Sequence, residues 1–187
     1  MKKKQAKRFS KGERGEAIVE SMMCLLLICL ILFGLLQMFY LSVAQMLTDY
    51  SSFCTARSYA VGFAEYLVDR AARVAAIGAS GPMVEDQDYN GSMLSQFAVE
   101  TSRIPEYISG ERWLEYEYWY GEGESNTTLS AGTSLEGGNV ILSEVRFNDY
   151  PLEMPMRAAY TSSDSTNISG HAGMMNYAGI FLDTGED

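Results

Sequence analysis

Residues 14–47 read RGEAIVESMMCLLLICLILFGLLQMFYLSVAQML, and this stretch decides how the chain is organised. From Met22 to Tyr40 every residue but Gln37 is apolar, glycine occurs once, at Gly34, and proline is absent. A helix needs about 20 residues at about 1.5 Å each to cross about 30 Å of hydrocarbon. A run of this length without a breaker therefore predicts a membrane-crossing helix, the conformation that bonds its own backbone in lipid.

The residues just before the run carry its orientation. Lys2, Lys3, Lys4, Lys7, Arg8, Lys11 and Arg14 stand against a single acid, Glu13, and no lysine follows Lys11. Cations flanking an apolar helix stay on the cytoplasmic side, which would put the C-terminal region outside the inner membrane. The net charge of −10 thus conceals a basic leader and a remainder that is strongly acidic. An acidic surface repels phosphate backbones and argues against a nucleic-acid partner.

Three readings of the N-terminus compete. A cleaved secretory signal would use the small residues Ser42-Val43-Ala44, but the apolar core exceeds the 7–15 residues typical of such signals. An uncleaved single-pass anchor is the second. The third is a cut on the cytoplasmic side, before the apolar run. Glu20 favours it, because a carboxylate near a membrane helix is costly and points to a use. A cut after Gly15 would leave a charged α-amino group on Glu16, which Glu20 of a neighbouring helix could neutralise. The plainer account is that acids are favoured in a first helical turn.

Gly15-Glu16-Ala17-Ile18-Val19-Glu20 resembles a type IV prepilin cleavage site, with glycine before the cut and glutamate at the fifth mature position. Together with Phe33-Gly34 in the apolar helix and Ala56-Arg57-Ser58-Tyr59-Ala60 beyond it, the stretch from about residue 12 to 64 is similar to the TadE-like pseudopilins of tight-adherence (Flp-type) pilus systems. Ser21 departs from the aromatic residue often found after the glutamate, and the long C-terminal region departs from the short major pilins. The resemblance implies cleavage by a prepilin peptidase between Gly15 and Glu16, and assembly through Glu20. The product would be a minor subunit, with other pilin or pseudopilin subunits as partners.

The organisation expected is a leader (1–15), a transmembrane helix (16–43), an amphipathic helix continuing from it (44–78) and an extracytoplasmic head (79–187). Leu47, Tyr50, Cys54, Arg57, Val61, Ala64, Val68, Ala71 and Ala75 recur at steps of three and four, which predicts one continuous helical face. A single rod from Glu16 to Ala76 would be about 90 Å long. Arg57 interrupts the stripe and invites an acidic partner or snorkelling. Asp69 and Arg73 are spaced as an exposed i,i+4 pair. Gly78, Gly81 and Pro82 predict its end.

Residues 79–111 read as acidic, polar loop. Asp86-x-Asp88-x-Asn90-Gly91 begins like a calcium loop, but its twelfth position is Phe97 instead of a bidentate carboxylate. Strands are predicted over Trp113–Tyr120, Asn139–Phe147 and about Met156–Thr161, with Ile180–Leu182 as a possible closing strand. Gly121–Ser125 reads as a turn, and Thr127–Gly138 and Ser162–Gly173 as loops. In Trp113–Tyr120, the alternating Leu114, Tyr116, Tyr118 and Tyr120 are expected to be core. A long helix followed by a small antiparallel sheet makes the fold class α+β.

Catalytic signatures are missing. His171 is the one histidine, in a Ser-Gly-His-Ala-Gly context without a nucleophile motif. Glu115 and Glu117, two apart on a strand, suit solvation better than glycosidase chemistry. Cys24 and Cys29 lie in the apolar run and Cys54 stands alone, so neither a disulfide framework nor a metal site is spelled out. The chain is therefore expected to be non-enzymatic, with no cofactor. A membrane-anchored binding protein outside any filament is the rival reading.

Overall fold

The computed structural model describes residues 11–84, 92–121, 126–137 and 139–177. Helix α1, Lys11–Ala60, is 50 residues long. From Gly15 to Ala60 it is long and apolar enough to cross a membrane, and its most apolar window is 0% buried. Ile18, Met22, Leu26 and Phe39 each expose more than half their surface. The second half of α1 is where the rest of the fold gathers.

The expected 90 Å rod is interrupted. Gly62 adopts φ +89°, its N–H donates to Tyr59 O at 2.9 Å, and the Phe63 N–H donates to Ser58 O at 3.2 Å. This pair of bonds closes the helix with a left-handed glycine, a conformation that costs other residues a Cβ clash. Helix α2, Glu65–Ala75, then folds back along α1. The Ser51 hydroxyl donates to Ala72 O at 2.6 Å, and a Cβ on Gly78 would lie 2.9 Å from the Leu47 side chain. The Asp69–Arg73 pair forms as expected, at 3.0 Å. Three-residue turn Ile77–Ala79 follows.

Residues 79–111, expected as loop, contain helix α3, Met93–Ser109. Ser92 caps it by accepting from the Ser95 N–H at 3.2 Å, and Gly110 ends it at φ +89°. Pro105 sits in its last two turns, where it removes one backbone bond without stopping the helix. The calcium-like residues 86–91, the turn at 122–125 and the closing segment 180–182 lie outside the described residues.

The sheet is a three-stranded antiparallel meander: β1 Thr128–Glu136, β2 Val140–Pro151 and β3 Ser165–Met175, with β2 in the centre. Only β2 was legible as a strand. Trp113–Tyr120 is instead an extended stretch, bridged at Tyr116 to Met83, that turns into the short helix α4, Glu117–Tyr120. Tyr118 and Trp119 are adjacent and both buried, which a strand facing one core does not allow. Residues 156–161 hold a three-residue helical turn, and the two stretches expected as loops are β1 and β3.

The core lies between α1 and one sheet face. Leu129 and Phe147, Ala131 and Val145, Phe147 and Ile168, and Val145 and Gly170 are register partners on that face. Around it, ring contacts with centroids 4.9–5.8 Å apart form two groups, Tyr107 and Tyr116 on Trp119, and Tyr118 and Phe147 on Tyr150. Such pairs each contribute about 0.5–1.5 kcal/mol beyond burial. The Trp119 indole donates to Ser80 Oγ at 2.9 Å, and Ser80 in turn donates to Ala76 O at 2.7 Å. Leu114, Tyr116 and Tyr118 are core as expected, whereas Tyr120 is 42% exposed.

The face that α1 turns to the sheet is not the predicted stripe. Ala44, Thr48, Ser52, Thr55, Ala56 and Ala60 are buried, while Tyr50, Arg57 and Val61 are exposed. The hydroxyls of Thr48 and Thr55 bond back to Ala44 O and Ser51 O, so they reach the interior already satisfied. Small residues let the sheet come close. A Cβ on Gly170 would stand 2.5 Å from the Thr48 carbonyl carbon and oxygen. Ala56 and Ala60, from the stretch that carried the family resemblance, pack with Ile141 against the far end of the sheet.

Candidate functional site

Gly15, Glu16 and Glu20 all lie on α1, and all are exposed. Glu16 and Glu20 are four apart and so share one helix face. A Cβ at Gly15 would meet nothing within 4 Å. Ser21 donates to Ala17 O at 2.7 Å, one turn back. No hydrogen bond or ion pair among the described residues joins these acids to the head. Because α1 is already helical at Lys11, Glu20 lies beyond its first turn in the uncut chain, and the terminal helix dipole does not account for the acid.

The remaining chemistry-bearing residues do not converge. His171 is a strand residue, opposite Glu144 on the open face of the sheet, not a loop histidine. Glu115 accepts from the Trp113 indole at 3.0 Å, while Glu117 begins α4, so the two do not share a strand face. Cys24, Cys29 and Cys54 are free thiols. Among the described residues no group of histidine, cysteine and acidic side chains is placed to hold a metal ion. Arg57 finds no acidic partner among the ion pairs of the described residues; it lines a groove between α1 and α2 with Tyr50, Cys54, Val61, Phe63 and Val74.

Sequence reasoning missed the closest meeting of head and apolar helix. Residues 152–161 leave β2, run down beside α1 and form a clasp on its apolar part. The Met154 N–H donates to Gln37 Oε1 at 3.2 Å, and the Tyr160 hydroxyl donates to the Leu30 carbonyl. The Tyr160 ring lies against Gly34, where a Cβ would come within 2.7 Å of its tip. Higher up, Tyr150 donates to the Tyr40 hydroxyl at 3.0 Å with ring centroids 5.8 Å apart. Between clasp and helix is a cleft of about 430 Å³, lined by Ile31, Phe33, Met38, Leu152, Met154 and Pro155 among others. The single glycine of the apolar run was the available signal: a lone Gly in a helix marks a place where something approaches closely.

Burial pushes the phenols of Tyr116 and Tyr150 well up from their ordinary value; Glu100 reinforces it for Tyr116 and the Tyr40 hydroxyl for Tyr150. These are core tyrosines held neutral, not acid–base groups facing a cleft. No protein-family model, curated protein or solved structure matches this chain.

Proposed function

We propose that this protein is a minor pilin or pseudopilin of TadE-like type, inserted in the inner membrane through α1, cut after Gly15 by a prepilin peptidase, and assembled with sibling subunits of a tight-adherence (Flp-type) pilus through Glu20. The observation that carries the reading is the placement of an exposed acid, Glu20, just before the apolar run of α1, five residues after Gly15 and on a part of the helix that the head does not touch. An uncompensated carboxylate there costs about 2.5–3.5 kcal/mol toward the membrane centre and less near its edge, a cost that a partner's terminal ammonium removes. The head packs on α1 from Leu30 onward, leaving the part before it exposed for lipid or for neighbouring helices.

The test is the mass of the mature N-terminus in the native host. Glu16 as first residue supports the reading, whereas an intact Met1 or a start at Gln45 refutes it. Glu20→Ala should leave processing intact and lower incorporation into filaments at least several-fold. Equal incorporation of mutant and parent removes the docking role of Glu20.

A further inference from the structure

The apolar helix and the clasp make conflicting demands on depth. Below Leu30, where Tyr160 docks, the apolar run from Met22 offers about 8 residues, or about 12 Å, against about 30 Å of hydrocarbon. Extending upward to Tyr40 gives about 19 residues, or about 28 Å, which matches the bilayer. Sliding the helix the other way would drag Glu16, Arg14 and Lys11 into the hydrocarbon. The helix therefore spans only if the segment from Leu30 to Tyr40 is in the membrane, and the clasp is fastened to that segment.

The composition of the clasp suits that depth. Its exposed residues between Met154 and Thr161 are Pro155, Met156, Ala158, Ala159 and Tyr160, without a charge. Arg157 is half-buried and its guanidinium is tied to Leu152 O at 3.1 Å and to the Asp164 carboxylate. Glu153, the one exposed charge of the Leu152–Thr161 clasp, stands at its head end, where the Tyr118 hydroxyl donates to it at 3.5 Å. The loop also bonds itself: Ala159 N to Met156 O, Tyr160 N to Arg157 O, and Thr161 N to Arg157 O, all within 3.0 Å. Backbone placed in lipid needs such internal partners. At the tip, Met156 adopts φ +63°, a left-handed conformation unusual for a long side chain.

We propose that the Leu152–Thr161 clasp is a second membrane element: it sits within the leaflet on the head's side, with lipid acyl chains covering Pro155, Met156 and Tyr160 and filling the cleft against Ile31 and Met38. The proposal rests on the reading that α1 spans the membrane. It makes the protein monotopic as well as bitopic, and it holds the head against the surface at a fixed tilt instead of on a flexible stalk.

The test uses the full chain, with Cys24, Cys29 and Cys54 replaced by alanine, in phosphatidylcholine nanodiscs containing nitroxide-labelled acyl chains. Single cysteines carrying a bimane label are placed by Met156→Cys or Ala159→Cys on the clasp, Leu27→Cys on α1 and Ser130→Cys on the open sheet face. Tryptophan emission, from Trp119 with Trp113 replaced by phenylalanine, reports that each head is folded. At one chain per disc, the clasp labels should be quenched at least two-fold more than Ser130 and to a degree approaching Leu27. Quenching at Leu27 with clasp labels no different from Ser130 overturns the proposal and leaves the spanning helix intact. An unquenched Leu27 overturns the spanning reading itself, and the proposal with it. Loss of clasp quenching when several chains share a disc, with Leu27 unchanged, would name a neighbouring copy as the occupant and also overturn it.

Discussion

Gly170→Ala should be among the most damaging conservative substitutions in the head. The added methyl would stand 2.5 Å from the carbonyl carbon and oxygen of Thr48 and 2.6 Å from the Asp49 nitrogen. These are backbone atoms inside α1, so relief requires moving the whole helix away from β3 by several tenths of an ångström or more. That displacement would also stretch the bond from Gln45 Nε2 to Ser169 O, now 2.8 Å. Overpacking of this kind costs about 1–3 kcal/mol, and the rigid neighbour puts Gly170 at the upper end. Two further glycines provide the comparison. A Cβ on Gly173 meets only Leu142 Cδ2, at 3.4 Å, and one on Gly132 meets nothing within 4 Å. Both alanine variants should be neutral or slightly stabilising, since alanine loses less backbone freedom on folding. Urea unfolding of the full chain in mild detergent, followed by tryptophan emission, should move the Gly170→Ala midpoint down by the equivalent of about 2–3 kcal/mol with little change of slope. A Gly170→Ala midpoint within about 0.5 kcal/mol of the parent, or losses of equal size at Gly173, would refute the close approach of helix and sheet.

Ser80→Ala leaves the buried Trp119 indole N–H without its acceptor and should cost about 1–3 kcal/mol in the same assay, with a red-shifted or broadened tryptophan emission. Alkali should unfold the head. The stability due to neutral Tyr116 and Tyr150 is fully present below the unfolded tyrosine value near 10, because their folded-state values are raised; it falls as pH rises above that value, by up to about 1.4 kcal/mol per pH unit for each tyrosine. Tyr116→Phe should flatten this slope by one proton, as read from denaturation midpoints between pH 9 and 11, and an unchanged slope would refute the assignment.

The sequence by itself determined the elements whose signal is local. An unbroken apolar run has one stable conformation in lipid, so α1 and its exposure could be read from Met22–Tyr40. The alternation of Ile141, Val145 and Phe147 specified the central strand, and the aromatic density of Leu114–Tyr118 specified core. The spacing of Gly15 and Glu20 was also visible, and it remains the basis of the functional reading. Tertiary structure decided the rest. Which face of α1 is buried was set by how near the sheet can come, and this favoured alanine, serine and threonine over the larger stripe that periodicity singles out. Strands β1 and β3 are rich in glycine, serine and threonine and lack strand signal of their own. They are strands because β2 offers them a ladder, and β3 reaches α1 because Gly170 puts no side chain against the Thr48 backbone. The break at Gly62 competed with a three-and-four spacing that continued straight through it, since α2 folds back and buries Val68 and Ala72 against the same helix. The clasp was beyond reach for the same reason: contact between Tyr160 and Leu30 joins residues 130 apart, and no periodicity in either segment encodes the other.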